Sequence, residues 1–279
     1  MKINRYLSII FLLLILSCSK EDIKESVITE KNLELQVLEA YREGRDSLNK
    51  GDVLYAAKKF NEAEILFPQS EWAPKSALMA SYAYYIQDYY GDAIAELERF
   101  LKIYPKYKYI DYVYYMLGIC YYEQIVDEKK DLQSILRSKE FFSYVIKTFP
   151  NSDYALDSEF KIDLINDILA SKEMYLGRYY FNKKKWIPAI NRFRTVIDEY
   201  DTTIYVEEAL HRLVEVYYTI GLTDESKKYA KVLGYNYKSS EWYENSYAVF
   251  NKRYKKNKSE KKEKSKIIKK FKSLLELNE

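Results

Sequence analysis

The sequence predicts an all-α fold: a right-handed solenoid of about five helix-turn-helix repeats. Three observations carry this expectation. First, five amphipathic segments recur, each preceded by another segment with apolar residues at helical spacing. They are GDVLYAAKKFNEAEILFP ending at Pro68, YGDAIAELERFLKIYP at Pro105, RSKEFFSYVIKTFP at Pro150, KKKWIPAINRFRTVIDEYD at Asp201 and GLTDESKKYAKVLGYNYK at Lys238. Second, 7 Gly and 5 Pro in 279 residues are too few for an all-β chain built on tight turns. Third, no alternating strand pattern competes with the helical one. A single repeat cannot bury its apolar face alone, whereas stacked neighbours can.

The chain starts with Lys2 and Arg5 ahead of an apolar run from Tyr6 to Leu16. That run is shorter than the roughly 20 residues a membrane-spanning helix needs, and has the proportions of a secretory signal. It ends in Ile15-Leu16-Ser17-Cys18, which resembles the bacterial lipobox. The resemblance implies removal of residues 1–17, diacylglycerol on the Cys18 sulfur and an acyl chain on its new amine. Three acyl chains make a stable bilayer anchor. Ser19 stands where an Asp would signal inner-membrane retention, so the expected location is the periplasmic face of the outer membrane. The competing reading is an ordinary signal peptide with an incidental cysteine. Residues 18–33 are polar and read as a tether, with an r.m.s. reach of ~20 Å if flexible.

The five repeats are placed at about 36–70, 73–107, 110–152, 169–203 and 206–240, within a body spanning 34–250. Gly44, Ala56, Phe60, Ala63 and Pro68 set the pattern in the first; Tyr84, Ala93, Leu97 and Pro105 in the second. Leu117-Gly118, Tyr121, Phe142 and Pro150 follow in the third, Leu176-Gly177, Tyr180, Ala189 and Phe193 in the fourth, and Leu213, Tyr217, Gly221 and Leu233 in the fifth. This spacing of small and large residues resembles the tetratricopeptide repeat, in which small residues let paired helices approach and large ones fill the gap. There are departures. About eight extra residues fall around Asp127–Ile135, the last two repeats end in Asp201 and Lys238 instead of Pro, and Ser226 replaces Ala.

Charge and composition exclude several functions. The formal net charge is +3, but residues 251–279 hold twelve Lys/Arg against four Glu, a net of +8. With Lys2 and Arg5 removed, residues 18–250 carry −7. An acidic body is not a nucleic-acid binder. The glycines at 44, 51, 91, 118, 177, 221 and 234 are too far apart for GxGxxG, GxSxG or a P-loop. One histidine, His211, rules out HExxH and multi-histidine metal sites, and is expected on a surface or groove. Cys120, in MLGICYY, reads as a buried small hydrophobe. Glu207-Glu208 reads as solvated helix surface. No cofactor or metal is expected, and the chain reads as a binding scaffold, not an enzyme.

The 31 tyrosines have two open readings: an AT-rich coding bias, or a binding surface that uses their apolar area and hydroxyl. First-helix register puts Tyr41, Arg45, Leu48, Leu78, Tyr82, Tyr85, Tyr112, Tyr115, Ile119, Tyr122, Met174, Arg178 and Phe181 on the concave side. The candidate peptide groove is Tyr41, Arg45, Tyr82, Tyr85, Tyr112, Tyr115 and Tyr122, suited to an extended peptide with an aromatic side chain and a carboxylate. A one-residue register shift would instead pack these rings between helices.

Three stretches resemble the BamD family, lipoproteins of the outer-membrane β-barrel assembly machine. They are IDYVYYMLGICYY (110–122), PNSDYALDSEFKIDLINDILASKEMYLGRYYFNKKKWIPAINRF (150–193) and LGYNYKSSEWY (233–243). In the last, Asn236, Tyr237, Ser240, Trp242 and Tyr243 match the family's Asn-Tyr-Pro-x-Ser-x-Trp-Tyr run, with Lys238 replacing Pro. Lys130-Asp131-Leu132 matches the family's Arg-Asp-Gln only in part. The resemblance covers about residues 36–250. It implies that amino-terminal repeats receive unfolded outer-membrane proteins. It further implies that carboxy-terminal repeats, with Asn236, Tyr237, Trp242 and Tyr243 as a partner-binding motif, hold the POTRA domains of the BamA barrel. Another lipid-anchored repeat adaptor, coordinating envelope or division proteins, is the alternative.

The tail, 251–279, lies outside the resemblance. Residues 252–264 are expected to be disordered from their charge density. Ser265–Asn278 then places Ile267, Ile268, Phe271, Leu274 and Leu275 on one helical face with lysines opposite. Docking on the barrel partner or the solenoid, or contact with anionic lipid, are both open for it.

Overall fold

A computed structural model describes residues 30–125 and 132–251. Cys18, the tether up to residue 29, the segment 126–131 and the tail from 252 lie outside the described residues. Every described element is a helix, as the sequence predicts. The eleven are α1 (Glu30–Asn49), α2 (Val53–Leu66), α3 (Trp72–Tyr85), α4 (Tyr90–Ile103), α5 (Ile110–Glu123), α6 (Leu132–Thr148), α7 (Asp153–Asn182), α8 (Trp186–Glu199), α9 (Val206–Thr219), α10 (Thr223–Asn236) and α11 (Glu241–Phe250). They fall into two compact units, one up to Gln87 with α1–α3 and one from Asp88 with α4–α11. The segment expected as repeat two is divided between the units. Within each unit consecutive helices pack on one another, and α11 also packs on α9.

One contact recurs in the helical hairpins. An aromatic ring of the second helix lies against a glycine of the first. Phe60, Phe142 and Phe193 are fully buried against Gly44, Gly118 and Gly177. A Cβ on those glycines would come within 3.0, 2.7 and 2.5 Å of the ring. The missing side chain is therefore what allows the helices to close. Four residues before each ring sits a small buried residue: Ala56, Ser138 and Ala189. Ser138 satisfies its hydroxyl by donating to the Gly118 carbonyl (2.9 Å), and Ser226 does the same to the Val214 carbonyl (2.8 Å). The serine-for-alanine departure thus costs no unpaired polar group.

The ends of the helices repeat too. After α1, α7 and α9, the residues Gly51, Lys184 and Gly221 take left-handed φ of 82°, 58° and 86°. The following amides bond back five residues, Asp52 to Ser47, Lys185 to Tyr180 and Leu222 to Tyr217, at 2.9–3.0 Å. This is a Schellman end, which glycine adopts without strain. The second helices stop at an aromatic residue: Phe67, Tyr104, Tyr200 and Tyr237 leave helical ψ, at 80°, 51°, 43° and 49°. The last two do so without a following proline. The half-buried ring, not the proline, is common to all four stops.

Two segments differ from the sequence expectation. Leu132–Ile135 were expected between helices, yet they open α6, and Ile135 is fully buried. Residues 153–168 were left outside the repeats; they form the first half of one 30-residue helix, α7. From Asn151 to Leu176 the chain has no Gly or Pro, so nothing interrupts the helix there.

Phenylalanine and tyrosine divide the work. Phe60, Phe100, Phe142 and Phe193 are fully buried, while no described tyrosine is. Tyrosine rings sit at the boundary, packed on one side and wet on the other.

Candidate functional site

In the first unit, Tyr41 is half-buried, with its ring 5.4 Å from Phe60 and 5.0 Å from Trp72. It belongs to the packing between helices. Arg45, one turn on, is exposed. Tyr82 and Tyr85 end α3 with rings 6.2 Å apart; Tyr82 is the more exposed. This unit has two concavities. One of about 860 Å³ runs along α1 between Leu38, Arg42, Asp46 and Tyr55. In the other, Leu35, Leu38, Phe67 and Trp72 line a groove of about 660 Å³, rimmed by Glu34 and Glu71. Register reasoning missed it because the groove forms between the start of α1 and the α2–α3 turn, not along one helix face.

In the second unit, α7 meets all three candidate tyrosines of α5, two of them at one ring and the third further along. Tyr112 and Tyr115 lie 5.2 and 5.0 Å from the Tyr154 ring. The Tyr115 hydroxyl donates to Asp157 (2.7 Å), and the Lys161 ammonium sits 4.7 Å over Tyr122. Burial, then the charges of Asp111 and Asp153, hold the Tyr154 hydroxyl above its ordinary pKa. Ile119 and Met174, also expected on the concave side, are buried. Met174 contributes to the core with Ala170, Phe193 and Leu213.

The end of this unit is built by the segment 236–243. Ser240 caps α11, accepting from the Trp242 amide (3.1 Å) and donating to Glu207. Tyr237, Trp242 and Tyr243 pack on Val206, Leu210 and Leu233. Trp242 lies 5.4 Å from the His211 ring and 5.7 Å from the Arg212 guanidinium. Asn236 is exposed. The expectation of a surface or groove His211 is overturned: it is buried, its Nδ1 2.9 Å from Ser246 Oγ, because α11 covers that face of α9. Glu207 and Glu208 are likewise not free surface. Glu207 takes the Ser240 hydroxyl, while Glu208 receives Arg178 from α7 (2.8 Å) and Arg212 (3.2 Å). Arg178, expected in the groove, instead ties α7 to α9.

A serine device was also missed. Ser152 caps α7 through the Tyr154 amide (3.3 Å) and donates to Asp111 near the start of α5 (2.6 Å). Ser240 bridges α11 to α9 in the same way. Ser70 accepts from the Ala73 amide in α3 (3.2 Å). The signal was present as FPQS (67–70), FPNS (149–152) and YKSS (237–240).

Chemically, these surfaces offer rings, hydroxyls and ion pairs for binding. The one described thiol, Cys120, is fully buried, and burial pushes it up to about 12. No described helix is long and apolar enough to cross a membrane.

Hairpins closed by an aromatic on a small residue, repeated along the described helices, define a helical-repeat protein of tetratricopeptide type. Residues 34–233 match the family model YfiO, described as outer membrane lipoprotein, and the chain belongs to that family. It is 41% identical to a Caulobacter vibrioides protein over 76% of this chain and 69% of the relative. It is 44% identical to one from Rickettsia prowazekii over 75% of this chain and 83% of the relative. Both are named outer membrane protein assembly factor BamD. Among solved structures it is similar to the TPR2AB domain in the pHSP90 complex of yeast Sti1, at 13% identity, 76% of this chain, 81% of that chain and a TM-score of 0.41.

Proposed function

We propose that the chain is an outer-membrane-anchored scaffold for the assembly and insertion of outer-membrane β-barrel proteins. The observation that carries this reading is its 41–44% identity to two assembly factors across three quarters of its length. Acylated Cys18 holds it at the periplasmic face. The amino-terminal helices, with Arg45, Tyr82 and Tyr85, receive unfolded clients through aromatic and carboxylate contacts. The α9–α11 end holds the POTRA domains of a BamA-like barrel. Exposed Tyr235 and Asn236 at the end of α10 and half-buried Trp242 in α11 support this: aromatic rings with polar side chains among them suit a protein interface. The work is binding and handover, with no bond made or broken.

The test is affinity purification of the tagged, lipidated chain from native membranes, with mass spectrometry of its companions. A stoichiometric barrel protein with POTRA domains supports the reading. Division or peptidoglycan-binding proteins without that barrel overturn it. Crosslinking from Asn236 then locates the barrel partner, and crosslinking from Arg45 the client.

A further inference from the structure

The first half of α7 carries an apolar stripe that no described element covers. Leu156, Phe160 and Leu164, one turn apart, are 62%, 61% and 48% exposed. On the other sides of the same half-helix, Ala155, Ser158 and Ile165 are buried, while Tyr154 and Asp157 face α5. A stripe of three large side chains on a helix is more than scattered surface apolarity. Its surroundings are acidic: Asp153, Glu159 and Asp163 are exposed and Asp167 is half-exposed on this half of the helix. The one lysine there, Lys161, is turned toward Tyr122.

An apolar stripe bordered by carboxylates fits a basic amphipathic helix. The chain has such a segment. Ser265–Asn278 places Ile267, Ile268, Phe271, Leu274 and Leu275 on one side of a helical register, with Lys266, Lys269, Lys270 and Lys272 around it. Its fourfold ridge matches that of Leu156, Phe160 and Leu164. The intervening residues 251–264 can extend to about 45 Å. The path from α11 through α9 and α8 to α7 is three helix-packing steps, about 30 Å, plus part of the length of α7. Since the packing steps run across the helices and the last part along α7, the span is roughly 35–40 Å, within the extended length of the linker. We infer that residues 265–278 dock on the Leu156–Phe160–Leu164 face of α7 as an intramolecular basic helix. Docking neutralises part of the −7 body with the +8 tail and covers the stripe.

The test uses the full lipidated chain in detergent, with Phe160→p-benzoylphenylalanine and ultraviolet crosslinking read by mass spectrometry. The expected product is a crosslink within one chain from position 160 to residues 265–278. Its yield falls severalfold between about 0.05 and about 0.5 M salt. Asp163→Lys with Asp167→Lys lowers the yield roughly tenfold, and Lys266→Glu with Lys270→Glu restores it. Circular dichroism confirms that the charge variants remain helical. A crosslink to a second copy, to another protein or to lipid overturns the inference, as does no crosslink to the tail. Loss of yield without rescue by the reversed lysines overturns the charge pairing.

Discussion

Replacing Gly177 by alanine tests the tightest glycine contact among the described residues. An added Cβ would lie 2.5, 2.8 and 2.9 Å from three atoms of the Phe193 ring. That ring is fully buried among Ala170, Met174, Ala189, Val196 and Leu213, so it cannot swing aside. Overpacking a rigid core costs about 1–3 kcal/mol, and this site belongs at the upper end. Against it stands the roughly 1 kcal/mol by which alanine outdoes glycine within a helix. The expected net loss is therefore about 2 kcal/mol. Gly118→Ala, at 2.7 Å from Phe142, should cost less, and Gly44→Ala, at 3.0 Å from Phe60, should come out near neutral. Gly91→Ala meets nothing within 4 Å in the first turn of α4 and should stabilise by about 0.5 kcal/mol. The assay is urea unfolding followed by circular dichroism, compared as midpoint shifts because a chain of two units need not unfold in one step. In a Phe193→Leu background, where the ring is gone, Gly177→Ala should cost less. If Gly177→Ala is as stable as the parent, or if the four variants lose their order, close approach does not govern this hairpin.

Three further outcomes are expected. Ser240→Ala removes both the α11 cap and the Glu207 bridge. It should lose about 1 kcal/mol, seen as faster amide exchange in α11 than in α5. Glu208→Ala strips the acid shared by Arg178 and Arg212. Since Arg178 is 38% exposed and screened, the loss should be about 1 kcal/mol, and a double-mutant cycle with Arg178→Ala should show coupling between the two sites. Cys120 should resist thiol reagents at pH 8 and react fully in denaturant, as its thiol is held at about 12 by burial. Because the folded value is raised, its contribution to stability is complete below the ordinary value of 9.0 and declines as pH rises toward about 12. Rapid labelling of the native chain would show that α5 opens.

The sequence by itself determined the helical class and the small-on-aromatic contacts, because these follow from local spacing. A glycine in one helix and a phenylalanine in the next can be read without coordinates. Family membership was legible for the same reason, in runs such as IDYVYYMLGICYY. The lateral placement of side chains was not. Tyr41 and Tyr115 share a register, yet Tyr41 packs on Phe60 and Trp72 while Tyr115 bonds Asp157 of another helix. His211 and Glu208 read as surface, and only α11 and Arg178 arriving from distant parts of the chain enclose them. Periodicity reports which face of a helix is apolar; which neighbour that face meets depends on residues 30 or more positions away, and only the tertiary structure decides it.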